Sequence, residues 1–472
     1  MGNTDELTQW PAARVAAAVA RKDVSPVEVV DAVLDRIARL NPALNAYCTV
    51  TAGAARTAAR QAEAAVLRGE RLGRLHGVPV SVKDTVWTAG VRTTMGSAIH
   101  ADFVPEADAV VVARLRAAGA IVVGKTTVPE YAHKGTTDSP LLGATGNPWS
   151  PAHTCGGSSG GAGVAVATGL GPLAVGTDEG GSIRIPASFC GVVGLKPTFG
   201  LIPRVPIGPA ALLTHLGPLA RTVEDAALFL AATAGPDLRD GWSLPALGDD
   251  PVAALQRPAG ALRVAWSPRL GYATVDPDVV RITGDAVRRL ESLGWRVEDA
   301  DPGFEDPAQI QDGFRLPGLA AALGHHLPAW RARMDPSLVA LVELGQAMPA
   351  ADVGRALVGR AALCETVDRL FQRFDLLATP VVAVAPFGVG QPPPSEIAGR
   401  AVGRRGWSAF TYPFNLTGQP AISLPCGTTT GGLPIGLQLV GRRFEDALVL
   451  RAGAAVEAAA PWAHRWPGPP GA

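Results

Sequence analysis

Two glycine-dense stretches that also carry serine hold the residue types from which acyl or phosphoryl chemistry is built: CGGSSGGAG at 155–163 and GTDEGGSIRIPASFCG at 176–191. Glycines let backbone N–H groups approach a ligand closely and take conformations closed to other residues, which suits a phosphate cradle or an oxyanion hole equally. Two further patterns compete for attention. Gly119, Gly124, Lys125 and Thr126 in GAIVVGKT satisfy the phosphate-loop pattern. Gly157, Ser159 and Gly161 satisfy the G-x-S-x-G pattern of a nucleophile elbow. A phosphate loop follows a strand and opens a helix near its Lys, whereas Ile121 to Val123 is itself a β-branched run, with Pro129 and Glu130 beyond it. GAIVVGKT therefore reads as a core strand entering a loop. A nucleophile elbow needs a strand just before its serine, and NPWSPAHT, with two prolines, cannot be a central strand.

The elements that must position these loops follow from pattern. Ser25, Pro26 and Glu28 form an N-cap, a first-turn proline and a capping-box acid for a helix with Val29, Val33, Ile37 and Leu40 on one face. An Ala-rich helix is expected at 52–68, and Val78, Val80 and Val82 alternate as a strand ending at Lys83. Helices at 108–118, 222–234 and 277–293 and after Phe444 interleave with strands at 121–123, 263–266, 375–382, 421–425 and 435–440. The stretch 303–374 reads as mostly helical, Pro392 to Pro394 as a loop, and the tail 466–472 as frayed. This alternation predicts an α/β fold: residues 1–472 as a single large domain with a central twisted mixed sheet covered by helices on both faces. Within it, 76–200 would carry the catalytic loops, 303–374 would shape the substrate site, and 375–460 would complete the sheet.

Composition excludes several classes. Lys plus Arg and Asp plus Glu balance at 42 each, with no block of like charge, so neither nucleic acid nor an anionic membrane is an expected partner. Five cysteines at 48, 155, 190, 364 and 426 form no CxxC pair and no zinc spacing, and they read as reduced, buried thiols. His325 and His326 lack metal-ligand spacing, so no metal or cofactor is expected. MGNTDELTQW carries neither a signal-peptide nor a myristoylation pattern, and a cytoplasmic location is the expectation. A homodimer is compatible with base rates.

VSVKD at 80–84, GATGNPW at 143–149, CGGSSGG, GTDEGGSIRIPASFCGVVGLKPT, FNLTGQPAISLPCG and GLPIGLQLVG together resemble the amidase signature family, in order from about residue 5 to 460. The resemblance implies Ser182 as nucleophile, Ser158 as a bridging serine on a cis peptide, and Lys83 as base. It places the oxyanion hole at the backbone of Glu179, Gly180, Gly181 and Ser182, with Ser159, Asp178 and Arg184 bracing the loops. The chemistry is coherent in itself. A serine hydroxyl attacks only when its proton is removed, and a buried lysine can be neutral near pH 7 and accept it. A hydroxyl that both donates and accepts can relay that proton and return it to a leaving amine. Asp84, on the opposite face of the strand, is expected to serve structure, and Cys155 and Cys190 to be buried.

Glu179 departs from the family pattern, where a small or apolar residue is usual; its side chain is expected to point away from the anion site or to bind a polar group of the substrate. The implied function is hydrolysis of the C–N bond of small, neutral or apolar amides through an acyl-enzyme, with aryl amides, esters and carbamates as related substrates. The alternative is the A subunit of a tRNA-dependent amidotransferase, against which stands Ile185 where that subunit typically has Gln. Leu316, Leu319, Leu323, Trp330, Met334, Trp407, Phe410, Tyr412 and Phe414 are either pocket lining or core.

Overall fold

The computed structural model describes residues 4–245 and 248–468; of the tail at 466–472, residues 469–472 lie outside them. Strands β1 (Tyr47–Val50), β2 (Pro79–Lys83), β3 (Ile121–Thr126), β4 (Leu173–Asp178), β5 (Val193–Lys196), β6 (His215–Ala220), β7 (Arg263–Trp266), β8 (Arg296–Asp299), β9 (Leu376–Pro380), β10 (Ala421–Thr428) and β11 (Pro434–Gly441) build one sheet. Their order is 1-3-2-4-6-5-10-11-9-7-8. β2 is parallel to β3 and β4, and β7 to β8 and β9, while the other neighbours are antiparallel. The sheet is therefore mixed, with helices flanking it.

Period-2 alternation in β2 separates its faces. Val80 and Val82 join the large core formed with Val111, Val112 and Leu115 of the helix Val110–Ala117 and with residues of the helix Val223–Thr233. Lys83, out of phase with them, reaches the other face, where the helix Gly160–Ala167 packs. That helix is buried at every position and lies close because it is glycine-rich: a Cβ on Gly161 would stand 2.5 Å from Ala46 O and from Thr127 N.

GAIVVGKT is a strand, and Lys125 within it is fully buried, donating to Val86 O and to the hydroxyls of Thr88 and Thr93. No helix opens at this lysine. The segment before Ser158 forms a small two-stranded ribbon, Gly146–Asn147 with Ser150–Thr154, apart from the central sheet. Sequence pattern did not reveal β1, β4, β5, β6 and β8. In β4 to β6 the reason is glycine and proline within LAVGTD, VGLK and HLGPLA. Pro218 is tolerated in an inner strand because β5 pairs with β6 only at Leu219 and Ala220, so the proline sits past the end of that ladder.

The middle of the chain is helical, with Ala308–Leu323, Pro336–Ala347 and Ala350–Arg373, and Leu316, Met334, Leu338 and Val342 form a satellite core there. Among the described residues no helix is long and apolar enough to cross a membrane.

Candidate active site

Lys83 ends β2 and has no solvent exposure. Its Nζ lies 2.7 Å from Ser158 Oγ and 2.7 Å from Thr177 Oγ1, and donates to Thr177 O at 3.3 Å. Burial pushes its pKa from 10.5 down to about 7, against the opposing pull of Asp178 and Glu179. Among the described residues no carboxylate bonds to the amine, so no contact there holds it charged. Thr177 is a partner that sequence reasoning missed; it precedes Asp178 in β4, a strand that pattern did not reveal.

Ser158 follows a cis Gly157–Ser158 peptide and is nearly fully buried. Ser159 next to it braces β4 at both backbone groups of one residue, donating to Thr177 O at 3.2 Å and accepting from Thr177 N at 3.3 Å. Ser159 N donates in turn to Ser182 O at 3.2 Å, tying the two serine loops together. Ser182 is partly exposed and lines both cavities described below. Among the described residues no hydrogen bond joins Ser158 Oγ to Ser182 Oγ; such contacts often tighten only when substrate is bound.

The loop after β4 is held by every one of its carbonyls. Glu179 O accepts from Gln311 Nε2 at 2.9 Å, Gly180 O from Thr411 Oγ1 at 2.6 Å, Gly181 O from Ile185 N at 2.7 Å and Ser182 O from Ser159 N. Because a trans peptide sends its N–H opposite to its C=O, the following N–H groups are aimed as well. Gly181 N donates to Asp178 Oδ1 at 2.7 Å and Ile183 N to Asp178 Oδ2 at 3.2 Å. The N–H groups of Glu179, Gly180 and Ser182 have no acceptor in the protein among the described residues. Of the four expected oxyanion donors, Glu179, Gly180 and Ser182 thus keep an open N–H among the described residues, and Gly181 is occupied. Gly181 has φ +123°, and a Cβ there would stand 2.5 Å from Thr411 Oγ1, so glycine is required.

Asp178 and Arg184 are both fully buried and paired, Nε to Oδ2 at 3.0 Å and Nη2 to Oδ1 at 2.9 Å. Burial alone would raise the Asp178 pKa, but Arg184 beside it prevails and holds the carboxyl far below the usual carboxylate range. Arg184 spends its remaining donors on Thr411 O, Gln438 Oε1 and Asn415 Oδ1, at 2.7–3.0 Å. Its contacts are those of a brace.

Glu179 does not point into solvent. Its Oε1 lies 2.6 Å from Nε of the buried Arg315, a partner from the variable helical region that the sequence did not suggest. Arg315 also donates to His133 O. Asp84 accepts from Thr94 N at 3.0 Å, with Lys125 as its charged neighbour. His215 is buried, its Nδ1 2.8 Å from Leu213 O. Cys155 and Cys190 are buried free thiols.

Two cavities meet at Ser182 and Glu179. One, of about 570 Å³, is lined by Gly180, Gln311, Arg315, Lys134, Asp335 and Trp407 among others. The other, of about 360 Å³, is lined by Ser158 and Thr177 with Val86, Trp87, Tyr131, Ile207, Leu319 and Leu323. Leu319, Leu323 and Trp407 are therefore pocket residues, while Leu316, Met334, Phe410 and Phe414 are core.

Comparison with known proteins identifies the family. The amidase family model matches residues 28–450. The chain is 41% identical to an acylamidase of Rhodococcus erythropolis, covering 98% of each chain. It is 37% identical to the A subunit of glutamyl-tRNA(Gln) amidotransferase of Moorella thermoacetica, over 95% of this chain and 96% of that one. Among solved structures, a bacterial aryl acylamidase of the amidase signature family superposes with a TM-score of 0.92 at 30% identity, over 98% of this chain and 99% of the other. The substrate complex of 6-aminohexanoate cyclic dimer hydrolase superposes with 0.89 at 30% identity and the same coverage. With its full-length match, its mixed sheet and its serine-bearing glycine loops, the chain belongs to the amidase signature family.

Proposed function

We propose that the protein is an amidase of the serine hydrolase class, in which Ser182 is the nucleophile, Ser158 the proton relay and Lys83 the base. The observation that carries this reading is a fully buried lysine whose amine lies 2.7 Å from the hydroxyl of Ser158 and has a pKa near neutrality. Neutral Lys83 accepts the Ser158 proton as Ser158 takes that of Ser182, and Ser182 Oγ bonds to the amide carbon. The carbonyl electron pair moves onto oxygen, where the N–H groups of Gly180 and Ser182 meet it. Collapse reforms the C=O bond and breaks C–N, and the departing nitrogen takes the proton back from Ser158, which Lys83 resupplies. Water then repeats the sequence on the acyl-enzyme, releasing the carboxylic acid and restoring Ser182.

The relay also distinguishes the two cavities. The group that protonates the leaving nitrogen must face it, and Ser158 lines the smaller cavity and not the larger one. The amine half belongs in the smaller cavity, where Trp87, Tyr131, Ile207, Leu319 and Leu323 favour an apolar or aromatic group. The acyl half belongs in the larger cavity, whose charged lining is already engaged in ion pairs: Glu179 with Arg315, Lys134 with Asp138 and Asp335, and Arg404 and Arg405 with Asp312. Amides of apolar or aryl amines are thus the favoured class, with esters and carbamates of similar shape as lesser substrates.

The test is the intact mass of the protein after treatment with a fluorophosphonate, beside Ser182→Ala and Lys83→Ala. One adduct on the wild type, absent from Ser182→Ala and slowed in Lys83→Ala, is expected. Adduct formation that survives Ser182→Ala would refute the assignment. Steady hydrolysis of an anilide by the chain alone, without a partner subunit, separates this reading from the amidotransferase A subunit.

A further inference from the structure

The helix Ala308–Leu323 lies in the variable part of the chain, yet it sends two buried side chains into the oxyanion loop. Gln311 and Arg315 are one helical turn apart and so project from the same face. Gln311 has no solvent exposure, and its Nε2 donates to Glu179 O at 2.9 Å. Arg315 is 6% exposed, and its Nε lies 2.6 Å from the Glu179 carboxylate. One residue is therefore held twice, by a hydrogen bond at its backbone carbonyl and by an ion pair, without hydrogen-bond alignment, at its side chain. The gripped peptide is the one whose other end is the Gly180 N–H, left without an acceptor in the protein.

We propose that Gln311, Arg315 and Glu179 act as a clamp that positions the Gly180 N–H for the oxyanion. The clamp rests on Ser182 being the nucleophile. In this role the three side chains act not on the reacting atoms but through the Glu179–Gly180 peptide. A peptide with an unheld carbonyl can rotate its N–H away at little cost, and Gly180, lacking a Cβ, offers no steric resistance to that rotation. The clamp also accounts for a carboxylate beside an anion site: its pairing with Arg315 offsets part of the Glu179 charge, and its function is to tether the loop. Other groups near the pair are Arg404, Arg405 and Asp312; both arginines bond to Asp312 and leave Arg315 to Glu179.

The experiment is saturation kinetics of Ser182 phosphonylation by an alkyl fluorophosphonate, whose P=O oxygen uses the same donors as an amide oxyanion. Gln311→Leu is expected to lower the maximal inactivation rate by about 10- to 100-fold, less than outright removal of a donor, with the half-saturating concentration changed by less than about threefold. Arg315→Met is expected to behave alike, and Arg315→Lys, which keeps the pair, to recover most of the rate. Because Glu179→Thr strands the buried Arg315 charge and can unfold the protein, the double variant Glu179→Thr/Arg315→Leu is included; it removes the pair together and should stay folded but slow. An unchanged maximal rate in folded Gln311→Leu overturns the clamp while leaving the nucleophile intact. A rise in half-saturation with an unchanged maximal rate also overturns it, by making Gln311 a binding residue. No labelling of the wild type refutes the Ser182 reading, and the clamp with it.

Discussion

Replacing Lys83 with Met tests whether the base is poised by burial, because the substitution has a stability signature separate from catalysis. Lys83 falls from a pKa of 10.5 to about 7 on folding. Between those values the folded protein holds fewer protons than the unfolded chain, so wild-type stability must rise with pH across that window. Integrating the linkage, holding this amine in the fold costs about 4 kcal/mol at pH 7 and about 2 kcal/mol at pH 9, and almost nothing above pH 11. Lys83→Met removes that cost but also strips the hydroxyls of Ser158 and Thr177 of a partner, an offset of about 1–3 kcal/mol each that does not depend on pH. The offset clouds the absolute difference and leaves the slope clean. Other buried lysines titrate identically in both proteins and cancel. Urea unfolding of both proteins at pH 7 and pH 9 should show the wild type gaining about 2 kcal/mol on the variant. Parallel curves would mean that Lys83 folds with an ordinary pKa and cannot act as a base near neutrality. Wild-type amide hydrolysis should correspondingly rise through pH 7 and level off above it.

Other outcomes follow from the same geometry. Asp178→Asn leaves Arg184 buried without its counter-ion, and urea unfolding should show a loss of about 3–5 kcal/mol; a loss below about 1 kcal/mol would contradict the bracing role. Gly181→Ala places a methyl 2.5 Å from Thr411 Oγ1 at a φ of +123°, and fluorophosphonate labelling should be lost or severely slowed, with circular dichroism unchanged. Leu319→Trp narrows the smaller cavity only, so the ratio of anilide to primary-amide hydrolysis should fall by about tenfold. An equal loss on both would reassign the amine half to the other cavity.

The sequence marked the candidate site where the family pattern sets residues in order, with Lys83 at a strand end, Ser158 and Ser182 in glycine loops and Asp178 near Arg184, and the structure brings Lys83 against Ser158 and pairs Asp178 with Arg184. The strand register that buries Lys83 could be read from Val80 and Val82. What it did not show were contacts made across the fold. Gln311, Arg315 and Thr411 lie more than a hundred residues from the loop they hold, and nothing in AQIQDGFRLPG marks two of its polar side chains as buried. Amphipathic period locates a helix, and it does not say which polar residue will meet a carbonyl. Thr177 was hidden differently, inside a strand whose glycine disguised it as loop.

Buried lysines as a class show why position in a network matters more than a depressed pKa. Lys83, Lys125 and Lys196 are all fully buried on strands of the one sheet, and burial lowers the pKa of each. Lys125, at about 8, closes a cage with Val86 O, Thr88 Oγ1 and Thr93 Oγ1 and lines neither cavity. Lys196 donates to backbone carbonyls of Pro197 and Gln419 and is equally enclosed. Carbonyls cannot pass a proton on, and the two threonine hydroxyls around Lys125 donate to Val86 O and Val91 O and line neither cavity, so neither amine has a route to a substrate. Lys83 has a hydroxyl partner that opens on a cavity, and that makes it the one lysine of the three from which a proton can travel. Ser158→Ala should therefore abolish amide hydrolysis while leaving Lys83 just as buried and just as depressed. Retained activity in that variant would show that Lys83 reaches Ser182 without the relay.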